Sequence, residues 1–264
     1  MLDGSASVVS PGTERRHLAH TGQGRGRDAG YMNLARTRSG WALAPCPHGA
    51  AFSPAVAGTV TAPALPVHLV AAARFQLMAA RGLDRIPEAD LEEPVVVGSG
   101  PVAAGAVLEL RRRGAERIRV WTRRATTVLA DLPGLDPTAD PGPAGLVVEA
   151  TGHPGRALEI ARPGAVVGLL GTPDPGQRVD ALAVHRAGVR LVGMHELAGL
   201  STADTGYQDA FDRCTSWLAT WADRDVLHAW HRTLPSDRVP GFYSGLLDGH
   251  RPAEPFVLWD WSTP

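Results

Sequence analysis

The chain has 264 residues, is 44% hydrophobic and carries a formal net charge of −1 at pH 7. This size allows one large or two smaller domains, and the near-neutral charge excludes an overall attraction to nucleic acid or to an anionic membrane. All 26 basic residues are arginine, which excludes Schiff-base chemistry and a P-loop lysine. The two cysteines, Cys46 and Cys214, form no paired motif, and no basic and apolar leader begins the sequence. We therefore expect a cytoplasmic protein with neither a membrane nor a nucleic-acid partner.

Residues 1–67 are rich in glycine and proline and lack a sustained helical period. Short strands are predicted at residues 5–9, 41–43 and 59–61, separated by turns in the sequences PGTE, PCPHG and SPAVAG. The polar run GQGRGRD at residues 22–28 predicts a loop, with a basic phosphate site as the alternative. The pattern as a whole indicates a region of short strands.

From residue 67 onward, helical and strand patterns alternate. An alanine-rich helix is predicted over residues 67–82, ended by Gly82, and residues 125–145 are predicted to hold a short helix followed by a loop. The alternation favours a parallel sheet covered on both faces, in which strands 165–170 and 189–193 are buried. Strands are predicted at 94–97, 117–122, 145–150, 165–170, 189–193 and 256–261, and further helices at 101–113, 156–161 and 207–221.

A glycine pattern connects the strand at residues 94–97 to the next helix. Val95, Val96 and Val97 form a β-branched run typical of a buried strand, and the pattern G-x-G-x-x-A follows at residues 98–103. In this context the first glycine makes a turn, the second lets the backbone approach a pyrophosphate, and a small third residue lets the helix pack on the strand. The N–H groups at the start of the helix would meet the phosphates. The pattern therefore favours a dinucleotide-binding turn over an ordinary strand–helix connection.

The order of these motifs resembles the medium-chain dehydrogenase/reductase family, which contains alcohol dehydrogenases and quinone reductases. The resemblance is strongest in VVVGSGPVAAGAVLELRRRGA, LVVEATGHPG, LEIARPGAVVGLLG and HRAGVRLVGMHE, and weaker in SPGTERRHL and LLDGHRPAEPFVLWDW. It implies an α/β fold with a doubly wound parallel sheet (Rossmann) and a GroES-like β domain. That β domain is expected to be reduced, because the glycine pattern comes unusually early in the sequence. The implied domains are an abbreviated GroES-like region over 1–67, a dinucleotide-binding domain over 68–198, and a return to the β region over 199–264.

The resemblance also concerns zinc. Zinc-dependent members of the family carry a cysteine before G-T/S-D, and Pro11 stands at that position here. The family's G-H-E sequence corresponds to Gly30, Tyr31 and Met32, so its histidine and carboxylate are replaced as well. A catalytic zinc ion needs about three protein ligands and one open position. Since no H-x-x-x-H or clustered cysteine and histidine spacing indicates a substitute site, we predict a zinc-independent protein.

Thr122, Arg123 and Arg124 end the second strand of the nucleotide-binding region, where the family carries the residue that distinguishes the two nicotinamide cofactors. A carboxylate there binds the ribose 2′-hydroxyl, whereas arginine favours a 2′-phosphate. The sequence therefore predicts NADP(H), with two solvated arginines as the alternative. By resemblance, the loops after the fourth and fifth strands run beside the nicotinamide. The predicted cofactor-binding residues are Gly98, Gly100, Pro101, Val102, Ala103, Thr122, Arg123, Arg124, Thr151, Gly152, His153, Gly171 and Thr172.

Four residues are candidates for catalysis. Thr13 matches a family position that relays a proton, and Glu14 beside it either binds substrate or forms a salt bridge. Tyr31 either donates a hydrogen bond to a carbonyl or imine, or fills the space of the lost metal site. His195 follows the sixth strand and is a candidate general acid, because the unperturbed pKa of histidine lies near neutrality.

Together these features predict a zinc-independent, NADPH-dependent reductase of a carbonyl, imine or activated alkene in a small organic molecule. Specialised biosynthesis is the expected setting, and reductive cyclisation is a second form of the same activity. A degenerate relative with a non-redox or binding role is the alternative from another functional class. A homodimer is expected, because a small β domain leaves apolar sheet surface to be covered.

Overall fold

The computed structural model describes residues 1–20, 30–124, 127–198 and 206–262 of the chain. The chain divides into two compact units, of which the first is Met1–Ala71 with Ser201–Pro264 and the second is Ala72–Leu200. The loop predicted at residues 22–28 lies outside the described residues. No helix in the described ranges has both the length and the apolar character that crossing a membrane requires.

The described residues form twelve strands, seven α-helices and several short 3₁₀ turns. The strands are β1 (Ala6–Val9), β2 (Asn33–Thr37), β3 (Gly40–Ala44), β4 (Val60–Pro63), β5 (Pro94–Val97), β6 (Ile118–Trp121), β7 (Leu135–Thr138), β8 (Ala144–Glu149), β9 (Ala161–Leu169), β10 (Arg190–Gly193), β11 (His231–Pro235) and β12 (Phe256–Asp260). The helices are α1 (Pro11–His20), α2 (Val67–Leu83), α3 (Pro101–Arg112), α4 (Pro154–Glu159), α5 (Ala181–Ala187), α6 (Gly206–Thr220) and α7 (Val239–Leu247).

The second unit contains a six-stranded sheet in the order β7-β6-β5-β8-β9-β10, and every neighbouring pair in it is parallel. In chain order this is the 3-2-1-4-5-6 arrangement of a doubly wound dinucleotide-binding fold. The valine run of β5 lies at its centre, where Val95 pairs with Arg119 on one side and with Val147 on the other. The predicted fold class, a doubly wound parallel sheet with a second β unit, is confirmed.

Three predicted features of the second unit are wrong in detail. Strand β10 is not buried, because it lies at the edge of the sheet and Leu191 is 37% exposed. Gly82 does not end α2 but lies inside it, where an added Cβ would come within 2.6 Å of the Met194 side chain. The loop predicted before residue 145 contains β7, and the short helix before it is the 3₁₀ turn Val128–Asp131.

The first unit contains a sheet in the order β11-β12-β1-β2-β3-β4. Its pairs are antiparallel except β11 with β12. The final predicted strand is present as β12, and it returns to the start of the chain by pairing Asp260 with Ala6 and Val257 with Val9. Val9, Val257 and Trp259 form a buried apolar cluster behind this pair.

The sequence PGTE is not a turn but the first turn of α1. Pro11 occupies the first helical position, where its fixed φ and missing N–H are tolerated. Ser10 donates from its backbone N–H to Glu14 Oε1 at 2.9 Å and from its hydroxyl to Thr13 Oγ1 at 3.2 Å. These bonds stabilise the start of the helix. The sequence alone did not distinguish the two structures, because proline followed by glycine is typical of a turn as well as of a helix start. The elements that the sequence analysis missed entirely are β2, α5, β11 and α7.

Helices α2 and α3 approach closely at Gly105. An added Cβ at Gly105 would overlap the backbone carbonyl group of Phe75. We expect Gly105→Ala to lower the free energy of unfolding by about 1–3 kcal/mol, because overpacking against backbone cannot be relieved by a change of rotamer. Urea denaturation measures the effect.

The control for this substitution is Gly155→Ala in α4. No other atom lies within 4 Å of an added Cβ there, so this variant should be neutral or slightly stabilised by its higher helix propensity. Equal denaturation midpoints for Gly105→Ala and Gly155→Ala would contradict the close packing of α2 and α3.

Candidate functional site

The glycine turn after β5 has a backbone shape that only glycine adopts without strain. Gly98 has φ of +120°, and its N–H donates to the Trp121 carbonyl oxygen at 2.9 Å. An added Cβ would lie 2.9 Å from the Thr151 side chain. Any other residue at this position would therefore strain the backbone and displace the neighbouring loop.

The start of α3 is free of side-chain capping. Gly100 is its N-cap, Pro101 is in its first turn, and no side chain bonds to its first N–H groups. An added Cβ at Gly100 would meet nothing within 4 Å, so space is open beside this helix end, while Ala103 in the first turn is fully buried. Uncapped N–H groups and the partial positive charge of a helix start together favour an anion such as a pyrophosphate.

Thr122 holds the segment after β6 against the glycine turn. Its hydroxyl donates to Ser99 Oγ at 3.0 Å and accepts from the backbone N–H of Arg124 at 3.1 Å. Arg123 is exposed and Arg124 is half-buried. Burial lowers the pKa of Arg124, although arginine keeps its charge at neutral pH. The two guanidinium groups therefore follow a turn that is tied directly to the start of α3.

Glu149 is a residue that the sequence analysis missed. Its side chain is fully buried at the carboxyl end of β8. The carboxylate accepts bonds from the backbone N–H groups of Thr151 at 2.7 Å and Gly152 at 2.9 Å, and a third from the Thr151 hydroxyl. Since a buried carboxylate needs such partners, Glu149 fixes the conformation of this loop. The signal in sequence was a carboxylate within an otherwise apolar strand.

Gly171 packs the loop after β9 against the loop after β8. Its N–H donates to the Glu149 carbonyl oxygen at 2.7 Å, and an added Cβ would lie 2.6 Å from the carbonyl carbon of Ala150. Thr172 beside it is exposed. On the other loop His153 is partly exposed, with Nε2 at 3.8 Å from Asp174 Oδ2. Both alternatives for His153, a substrate contact and a support of the turn, stay open.

All the predicted cofactor-binding residues lie in the second unit at the carboxyl ends of its parallel strands. They follow β5, β6, β8 and β9, whose carboxyl ends lie on the same side of the sheet. In open α/β sheets this is where ligands bind. Their part in cofactor binding stays a prediction.

Three of the four candidate catalytic residues lie in the first unit. Glu14 is only 2% exposed, and besides Ser10 it contacts His48 Nε2 at 3.2 Å and accepts a hydrogen bond from the Tyr243 hydroxyl. Burial and the Glu14 carboxylate raise the pKa of Tyr243. These contacts favour the salt-bridge alternative for Glu14. Thr13 accepts the hydroxyl of Ser10, and Tyr31 is half-buried.

His195, the fourth candidate, lies in the second unit and is exposed. Its Nδ1 accepts the backbone N–H of Leu197 at 3.2 Å, so the proton of the neutral ring lies on Nε2. Glu196 binds Arg74 through two hydrogen bonds of 2.6 and 2.8 Å. The two neighbours therefore have separate partners, and among the described residues no carboxylate bonds to the His195 ring.

The residues at the family's catalytic zinc position do not fit that metal. Proline has no ligand atom, and the fully buried Met32 offers a thioether in place of a carboxylate. Tyr31 replaces the histidine.

Comparison of the sequence with protein-family models and with curated proteins gives no match. Solved structures do match. A putative zinc-binding dehydrogenase of Sinorhizobium meliloti bound to NADP is 15% identical, with a TM-score of 0.64 over 98% of this chain and 91% of that one. The YhdH oxidoreductase of Salmonella enterica in complex with NADP is 16% identical, with a TM-score of 0.67 over 98% and 90%.

A quinone oxidoreductase of Thermus thermophilus, known also in complex with NADPH, is 18% identical, with a TM-score of 0.63 over 98% of this chain and 90% of that one. The likeness extends over almost all of the chain in each case. The protein therefore shares its fold with these three oxidoreductase structures.

Replacement of Glu149 by glutamine tests its role in holding the loop. In Glu149→Gln the side-chain NH₂ group would face a donor that bonds to the carboxylate in the unmodified protein, so at least one buried hydrogen bond is lost. We expect the free energy of unfolding to fall by about 1–3 kcal/mol. Chemical denaturation gives the value. Glu159→Gln, at an exposed position in α4, is the control and should change stability by less than about 0.5 kcal/mol. A wild-type midpoint for Glu149→Gln would rule this role out.

Proposed function

We propose that the protein is a zinc-independent, NADPH-dependent oxidoreductase of the medium-chain dehydrogenase/reductase type. The observation that carries the proposal is the uncapped start of α3 beside Gly100, tied through Ser99 and Thr122 to the turn that bears Arg123 and Arg124. Three structures of this fold were determined with NADP or NADPH, which supports the same class of cofactor here.

The cofactor fits the groups at the sheet edge. The first turn of α3 would receive the pyrophosphate, and Arg123 and Arg124 would bind the adenosine 2′-phosphate through charge-assisted hydrogen bonds. The loops that begin at Thr151 and Gly171 would line the nicotinamide half. When bound, the nicotinamide supplies or accepts the hydride. The protein's own part is to position that ring and to provide a proton or a hydrogen-bond donor.

The proposed substrate is a small organic molecule with a carbonyl, an imine or an activated alkene. Tyr31 and Thr13 in the first unit and His195 in the second remain the proposed donors, whereas the buried contacts of Glu14 favour a role in holding the start of α1. Specialised biosynthesis, with reductive cyclisation as one form of it, is the proposed setting. A cytoplasmic location is proposed because the sequence has only two cysteines, which are far apart and form no paired motif.

The arginine pair gives the first test of this proposal. We expect the double substitution Arg123→Ala with Arg124→Ala to weaken NADPH binding about 10- to 100-fold, the loss expected for hydrogen bonds to a charged group. NADH affinity should hardly change, since NADH lacks the 2′-phosphate. Calorimetric titration of both cofactors measures the two effects.

Arg117→Ala is the matched control, because Arg117 is an exposed arginine just before β6. It should bind NADPH like the unmodified protein. Unchanged NADPH affinity in the double variant would overturn the assignment of the 2′-phosphate site.

A non-redox or binding role is the second candidate, favoured by the loss of the family's zinc ligands at Pro11, Tyr31 and Met32. Consumption of NADPH in the presence of small aldehydes, ketones, cyclic imines and enones separates the two. Binding of NADPH without oxidation across this set would favour the second candidate, and an absence of binding would reject the reductase.

We also propose a homodimer formed through β10. No described strand pairs with its outer edge, Leu191 is 37% exposed, and Leu182 on the neighbouring helix α5 is 53% exposed. A two-fold axis would pair this edge with its own copy and cover both leucines. Analytical ultracentrifugation should show a dimer that becomes a monomer on Leu191→Arg. A monomer at all concentrations of the unmodified protein would exclude the dimer.

A further inference from the structure

Three histidines from distant parts of the sequence meet in the first unit. His68 is the second residue of α2, His228 ends the 3₁₀ turn Arg224–His228, and His231 begins β11. Each has a ring nitrogen within 4.8 Å of those of the other two, and no other group of this kind with metal-ligating side chains occurs within the described residues. Chain folding, rather than local spacing alone, brings these three imidazoles together.

The rings lie against one another with His68 in the middle. The ring centroid of His68 is 4.4 Å from that of His231, with an angle of 15° between the planes, and 4.5 Å from that of His228. His68 is 8% exposed, His231 is partly buried and His228 is exposed. Burial and the two neighbouring rings lower the pKa of His68 to about 4.

One further contact orients His231. Its Nδ1 lies 3.1 Å from the Leu227 carbonyl oxygen. A carbonyl oxygen only accepts, so Nδ1 carries the proton and the lone pair of the neutral ring is on Nε2. A backbone carbonyl bonded to the second ring nitrogen is the arrangement that most metal-binding histidines have, because it fixes the tautomer and raises the basicity of the ligand atom.

We propose that His68, His228 and His231 bind a divalent cation of the zinc class, with water as the fourth ligand. Imidazole nitrogens select zinc, copper, nickel or cobalt rather than magnesium or calcium. Three histidines with one side open to solvent match a tetrahedral ion that keeps an exchangeable position. None of the three stands at the positions matched to the family's zinc ligands, and the proposal is independent of the proposed reductase activity.

The three rings must rearrange around the ion. Zinc–nitrogen bonds of about 2.0–2.1 Å in a tetrahedral site place two ligand nitrogens about 3.3 Å apart. The nitrogens here lie within 4.8 Å of one another. The exposed His228 side chain can move toward the ion, and either the His68 or the His231 ring must also rotate, because a bound ion lies in the plane of each imidazole and these two planes are now only 15° from parallel. The bound ion would join the start of α2 to the segment before β11, and it should raise the stability of the native state by mass action.

Metal titration of the full chain tests the site directly. The protein is prepared without an affinity tag, stripped with a chelator, and titrated with Zn²⁺ alone by calorimetry and with Co²⁺ by visible absorption. We expect one equivalent of Zn²⁺ to bind, a tetrahedral Co²⁺ spectrum, and a higher midpoint of thermal unfolding with Zn²⁺ present. Mg²⁺ should produce none of these effects.

The variants His228→Ala and His231→Ala identify the ligands. Loss of a group that only orients a ligand costs about 10- to 100-fold in metal affinity, and loss of a ligand should cost at least as much. His228→Ala is the safer of the two for folding, since its side chain is exposed, and circular dichroism and the unfolding midpoint without metal verify that each variant is folded. His250→Ala removes an exposed histidine of the same unit outside the cluster and should bind Zn²⁺ like the unmodified protein.

Two results would overturn the proposal. The first is a failure of the stripped protein to bind Zn²⁺. The second is Zn²⁺ binding that is as strong in His228→Ala and His231→Ala as in the unmodified protein. Binding that falls as much in His250→Ala as in these two variants would count in the same way. A cluster of packed histidines with a purely structural role would give the first result.

Discussion

The conformation of the loops at the candidate nucleotide site depends on the buried carboxylate of Glu149. It accepts two backbone N–H groups and one hydroxyl from the loop after β8, while its backbone carbonyl accepts N–H groups of Leu170 and Gly171. Thr151, so positioned, lies against the turn at Gly98. Glu149 therefore fixes the loop after β8 with its carboxylate and bonds the loop after β9 with its backbone carbonyl. Leaving the carboxylate or its donors unpaired in the apolar interior would cost several kcal/mol.

The fold of the second unit followed from the sequence because its signals are local. The valine run of β5, two glycines and Pro101 occupy adjacent positions, and the alternation of strands and helices then selects a parallel sheet. The exposure of β10 was not visible, since an apolar strand has the same sequence in the middle of a sheet and at its edge. The start of α1 was misassigned because proline followed by glycine favours a turn as well as a helix start, and the bonds from Ser10 that distinguish them involve side-chain geometry.

The residues of the candidate site also include some that the sequence predicts and others that only contacts between distant segments bring together. The predicted cofactor residues share one edge because parallel strands end together, which chain order alone implies. The surroundings of Glu14 depend on His48 and Tyr243, and no sequence spacing relates these three residues. The histidine cluster gave only a weak local signal, the spacing H-x-x-H of residues 228–231, and its third member comes from a helix near residue 68. Contacts between remote segments therefore account for what sequence reasoning missed.

The pairing of β12 with β1 also affects how the chain is synthesised and folds. Residues 72–200 form one continuous unit, so they can reach their native contacts while the ribosome is still adding the rest. Strand β1 pairs with β2 early, but it lacks its second neighbour until residues 256–260 have emerged, and closing so long a loop carries an entropic penalty. Strand β1 is thus synthesised long before its sheet is complete, and the edge that will pair with β12 needs protection from aggregation until then.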